Sequence, residues 1–103
     1  MKSATLALVL AAGCGTAPAR HVIEIRGMAF EPAALEVARG DTVVFINRDI
    51  VPHTATSSGE TVWDTGTLNS GQEGAIVVAW TGEQEYVCTL HPVMKARIVA
   101  DSH

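Results

Sequence analysis

The sequence is poor in most features that announce a function. Aromatic residues make up 5% and charged residues 17% of its 103 positions, and cysteine occurs only twice. Two cysteines are too few for a disulfide scaffold. Lys plus Arg is 7 against 11 Asp plus Glu, a net charge of −4, so there is no basic footprint for nucleic acid. No apolar run approaches the ~20 residues that a membrane-spanning helix needs. Internal repeats are missing as well. Yet 48% of the residues are hydrophobic, which excludes an acidic disordered tail, a collagen-like repeat or a coiled coil. What is left is one small domain that buries a core.

The N-terminus reads as an address. Lys2 precedes the apolar run Thr5 to Ala12, and small residues follow through Ala19. Charge, short apolar stretch and small residues are the layout of an export signal. Residues 1–19 are therefore expected to be a signal and linker, and 20–103 the functional domain. Two processing routes are open. Leu10-Ala11-Ala12-Gly13-Cys14 resembles a lipobox, in which Cys14 would carry a lipid anchor. Ala17-Pro18-Ala19 offers a rival cleavage point that would release a free protein. Both place the protein in the periplasm or cell envelope, and both leave Cys14 unable to pair with Cys88.

The rest alternates short β-type runs with turn signals. In His21 to Arg26, Ile23 and Ile25 face one way and Glu24 and Arg26 the other, the period of a half-buried strand. Leu35-Glu36-Val37 repeats the pattern, and Arg39-Gly40-Asp41 reads as a turn. Thr42 to Asn47 is a continuous β-branched run, suited to a strand buried on both faces. Arg48 to Ser70 is expected to be irregular. Gly74 to Trp80 is a strand, Thr81-Gly82-Glu83 a turn, and Glu85 to Cys88 and Arg97 to Val99 the last two strands. Seven to eight short strands without helical periodicity predict an all-β sandwich.

The chemistry concentrates in Tyr86-Val87-Cys88-Thr89-Leu90-His91-Pro92-Val93-Met94, with a thiol, an imidazole and a thioether three residues apart. Pro92 opposes a helix, whereas a tight loop can bend all three side chains toward one point. His53 lies in the other irregular segment. Each residue has an ordinary reading: Cys88 a core thiol, Met94 core filler, His91 a surface loop histidine, while His53 alone says little. Jointly they form a soft donor set. Zinc makes little use of Met, iron–sulfur clusters need more Cys, and calcium and magnesium want oxygen. Two His, one Cys and a long axial Met are the donors of a blue copper electron-transfer site. His21 and His103, near the ends, are expected to be simply exposed.

The chain resembles the small cupredoxins of the plastocyanin and amicyanin type. Cys88-x-x-His91-x-x-Met94 is similar to their short ligand loop, with Thr after the Cys and Pro after the His, although Leu90 stands where amicyanins usually have Pro. Met28-x-Phe30-x-Pro32, Leu35-x-Val37, Gly40-Asp41-Thr42-Val43 and Asn47 with Pro52-His53-Thr54 resemble the family's upstream half. The resemblance implies a Greek-key cupredoxin fold over residues 20–103. It also implies one copper per chain, held equatorially by His53, Cys88 and His91 and axially by Met94. Asn47 and Thr54 would tie the two ligand-bearing loops together. The expected activity is one-electron transfer by a monomer, not an enzyme, with redox partner proteins docking near His91 on a patch that includes Leu90, Pro92 and Val93. The alternatives are an envelope copper-delivery protein using the same ligands, and a metal-free immunoglobulin-like adhesive domain.

Overall fold

A computed structural model describes residues 17–102. The expected leader and lipobox at Cys14, and His103, lie outside the described residues. Among the described residues there is no helix, and eight strands form two four-stranded sheets. They are β1 (Arg20–Ile25), β2 (Phe30–Glu31), β3 (Ala34–Ala38), β4 (Thr42–Asn47), β5 (Thr56–Ser57), β6 (Glu73–Val77), β7 (Gly82–Cys88) and β8 (His91–Asp101). One sheet has the order β2-β1-β4-β6 and the other β3-β8-β7-β5. The chain crosses repeatedly between the layers, so β1 pairs parallel with β4 and β3 parallel with β8. This is the crossing connectivity of an all-β sandwich.

Alternation explains which side chains meet inside. Ile23 and Ile25 of β1, Val43 and Phe45 of β4, and Tyr86 and Ile98 of the other sheet are all fully buried. Val44 points outward yet is only 3% exposed, so β4 is indeed covered on both faces. The few aromatics are not scattered. Phe30 and Tyr86 lie 4.6 Å apart edge-on, Phe45 packs on Trp63 at 5.9 Å, and Trp63 stacks on Trp80 at 5.9 Å. Five rings in one cluster give a short chain a large apolar payload.

Several boundaries differ from the sequence pattern, each for a tertiary reason. β6 ends at Val77 because Val78 leaves the ladder to exchange backbone hydrogen bonds with Gly40 and Asp41. β7 starts at Gly82, inside the expected turn, because Gly82 still pairs with Ala100. The segment from Arg48 to Ser70 is not wholly irregular: it contains β5 and two isolated bridges, His53 with Leu68 and Thr56 with Asp64. His21 is not simply exposed either. Its Nε2 lies 2.8 Å from Oδ2 of Asp41, a nearly buried carboxylate that also accepts the N–H groups of Ala19 and Ala38, each at 2.9 Å. Ala19, on the leader side of the expected boundary, thus already takes part in the fold, and its carbonyl accepts the N–H of Thr42 at 3.0 Å.

The parallel register of β1 and β4 sets one pole of the sandwich at Arg20 and Thr42 and the other at Ile25 and Asn47. The Asp41 cluster closes the first pole. The second carries the segments that hold the candidate ligands.

Candidate metal centre

Asn47, the last residue of β4, shapes the first of these segments. Its fully buried amide donates to the carbonyls of Val51 and Leu68, at 2.8 and 2.9 Å, and its Oδ1 accepts the N–H of Asp49 at 2.9 Å. Turning the backbone back on an Asn side chain is a common local solution where the chain leaves a strand. The turn delivers His53 to a bridge with Leu68, whose N–H reaches the His53 carbonyl at 2.7 Å. The His53 ring is fully buried, with Nε2 2.8 Å from Oδ2 of Asp49.

The second segment is the β7–β8 hairpin. Cys88 pairs directly with His91 across the turn Thr89–Leu90, but the next pair is Val87 with Lys95. Pro92, Val93 and Met94 therefore have no partners on β7. A bulge of this kind re-aims side chains and interrupts the ladder. Pro92 falls where no ladder N–H is required, which is why a strand beginning at His91 tolerates it. The expected tight loop between strands is thus largely the bulged start of a long strand, and β8 begins six residues before Arg97.

The two segments converge. Sγ of Cys88 lies 3.6 Å from Nδ1 of His53 and 3.7 Å from Nδ1 of His91. The donor atoms of these three residues all lie within 4.8 Å of one another. One small ion bonded to a sulfur at ~2.3 Å and a nitrogen at ~2.0 Å, at tetrahedral to trigonal angles, separates them by about 3.5–3.8 Å. The spacing therefore fits a shared ion, with one thiolate and two imidazoles in a largely dry setting. Cys88 and His53 are fully buried, and His91 is half-buried. Met94 lies within the bulge, 3% exposed, as part of the core cluster.

Thr54 ties the segments together, as expected. Its N–H points at Sγ of Cys88 at 3.3 Å, and its Oγ1 accepts the N–H of Thr89 at 2.9 Å. Asn47 acts differently from expectation: its side-chain hydrogen bonds run to Val51, Leu68 and Asp49, so they shape the His53 segment and do not reach the hairpin. Two contributors escaped the sequence reading. Thr89 adds a hydroxyl contact to Thr54 at 2.9 Å. Asp49 holds the His53 ring and also accepts the N–H groups of Gly27 and Met28. Burial works against ionisation of Asp49, but the bonds from Met28, His53 and Gly27 outweigh it and hold the carboxyl below its ordinary range.

With that geometry established, the similarities to known proteins are direct. Residues 18–101 match the copper binding proteins of the plastocyanin/azurin family. Amicyanin from Paracoccus denitrificans is 32% identical over 84 residues, which cover 78% of this chain and 64% of that protein. The chain thus spans just under two thirds of that relative's length. A solved structure of a methionine-to-glutamine variant of amicyanin with Cu(I) superimposes with a TM-score of 0.73 at 29% identity, covering 80% of this chain and 82% of that one. A copper-containing nitrite reductase from Thermus scotoductus reaches 0.74 at 28% identity, over 86% of this chain but only 23% of the enzyme.

Proposed function

The chain belongs to the plastocyanin/azurin family of copper-binding proteins, and from that premise we propose that it is an extracytoplasmic one-electron carrier. Its copper would be held by His53, Cys88, His91 and, axially, Met94. The observation that carries the reading is the placement of Sγ of Cys88 at 3.6 and 3.7 Å from the two imidazole Nδ1 atoms. Copper bound there supplies reversible cycling between Cu(I) and Cu(II).

The protein's own residues prepare the site for that role. Complete burial of Cys88 and His53 keeps water away from the thiolate. The Thr54 N–H stabilises negative charge on the sulfur, and such contacts tune a metal–thiolate centre. Hydrogen bonds between Thr54 and Thr89 lock the two ligand segments against each other, so the donor atoms need move little when the charge changes. His91 alone of the three is half-buried. Leu90 and Val93 beside it are 48% and 89% exposed, and Pro92 is exposed as well. A redox partner protein would dock on this apolar rim.

The same burial favours a carrier over a delivery protein, because an ion enclosed by two fully buried ligands is poorly placed for handover. An enzyme is not proposed, since the likeness to the nitrite reductase covers only a minor part of that enzyme. An export signal would bring the domain to the envelope; a lipid anchor at Cys14 would leave Ala19 in place, whereas release after Ala19 would remove its hydrogen bonds with Asp41 and Thr42.

Titration of the purified domain with Cu(II), followed by visible absorption, tests the reading. One equivalent is expected to produce an intense blue thiolate band, and Cys88→Ser to abolish it. A variant that stays blue would remove Cys88 from the site. Rapid electron self-exchange is expected of a carrier; slow exchange with ready loss of copper to an acceptor would favour delivery.

A further inference from the structure

The His53 ring is gripped from behind by a carboxylate that the copper ligands do not include. We infer that Asp49 is the positioning residue that selects the tautomer of His53, and that the Gly27–Met28 turn holds Asp49 in place to do so; the inference rests on the copper-site reading above.

A neutral imidazole has two tautomers, and only the one protonated at Nε2 leaves a lone pair at Nδ1. An ionised carboxylate is acceptor-only, so Oδ2 of Asp49 at 2.8 Å from Nε2 selects that form. Nδ1 is thereby left free toward Sγ of Cys88 at 3.6 Å. His53 is fully buried, so no solvent competes for the ring nitrogen. A histidine ligand whose other nitrogen donates to a carboxylate is oriented by it and made a stronger donor.

The carboxylate is itself fixed. Oδ1 accepts the N–H of Gly27 at 2.7 Å, and Oδ2 accepts the N–H of Met28 at 3.0 Å. Two consecutive N–H groups converging on one anion form a backbone nest. Gly27 and Met28 both have φ of 62°, and Met28 is the only non-glycine residue with positive φ among the described residues. A side chain resists that conformation, so something must hold it there. The reciprocal Arg26–Ala29 backbone bonds close this two-residue turn, and the two bonds to Asp49 add to that hold and couple the β1–β2 turn to His53, more than 20 residues further along the chain.

Nitrogen-15 spectroscopy of the metal-free full-length chain reads the tautomer directly, at a pH well above the ordinary imidazole range. His53 is expected to appear as a single Nε2–H form in the unmodified protein and as a mixture in Asp49→Ala. Competition against a chromophoric chelator should show Cu(II) affinity falling 10–100-fold in Asp49→Ala, with Asp49→Glu recovering part of it, and the thiolate colour kept in both. An Nδ1–H form in the unmodified protein overturns the inference, as does an Asp49→Ala variant unchanged in both tautomer and affinity. If Asp49→Ala does not fold, Asp49→Leu carries the same comparison, because its branched side chain has a similar shape and no acceptor for the ring or the turn. Failure of the underlying site reading is separate: His53→Ala would then leave Cu(II) binding intact.

Discussion

The backbone N–H of Thr54 points at the sulfur of Cys88 across 3.3 Å, joining residues 34 positions apart in the chain. The same residue binds Thr89 through its hydroxyl, so one threonine serves as both partner of the sulfur and clasp between the two segments that carry the candidate ligands.

Thr54→Val separates these roles. The N–H to the sulfur remains, while the Oγ1 that accepts from Thr89 is lost. Thr54 is only 5% exposed, so the broken bonds should cost about 1–3 kcal/mol. Urea unfolding of the metal-free protein measures this; a loss below about 0.5 kcal/mol would mean that the clasp is not structural.

Met94→Leu conserves volume in the core, so the fold should hold to within about 1.5 kcal/mol. Copper should stay bound and the reduction potential should rise, because removing a weak sulfur donor favours Cu(I). Voltammetry decides it: an unchanged potential would make Met94 core filler only.

Asp41 contributes a pH-dependent share of the stability in acid. Its bonds from His21, Ala38 and Ala19 lower its pKa from 3.8 to about 2. Because the folded value is the depressed one, the stabilisation is fully present above 3.8 and lost as pH falls toward about 2. Asp41→Asn should lower Tm at neutral pH, and the gap to the unmodified protein should close across that acid window. A gap constant with pH would contradict the linkage.

Tyr86 is fully buried, and its hydroxyl has no hydrogen-bond partner among the described residues. Burial also pushes its phenol pKa upward. Tyr86→Phe removes an unsatisfied polar group while keeping the ring contacts with Phe30 and Phe45. The change should be neutral or stabilising, by up to about 1 kcal/mol, in thermal unfolding. A clear destabilisation would show that the hydroxyl has a partner after all.

Much of the architecture could be read from local pattern. Alternation around Ile23 and Ile25 marks a strand with one buried face, and the β-branched run from Thr42 to Asn47 marks one covered on both. Such signals are legible because side chains project with a period of two whatever the strand packs against. Strand ends were less legible. Gly82 stays in β7 because Ala100 lies beside it, and Val78 leaves the ladder for Asp41 and Gly40. Those partners are remote in sequence, so no local window contains the reason.

The candidate centre divides in the same way. Composition and spacing determined the donor types, because a thiol, an imidazole and a thioether three residues apart make a soft set in any conformation that brings them together. Only the folded chain decided that His53 meets Cys88, which ring nitrogen faces the sulfur, and that Asp49, Thr54 and Thr89 hold the arrangement. Each of those contacts depends on two sheets packing face to face, and donor chemistry belongs to single residues while orientation belongs to their neighbours in space.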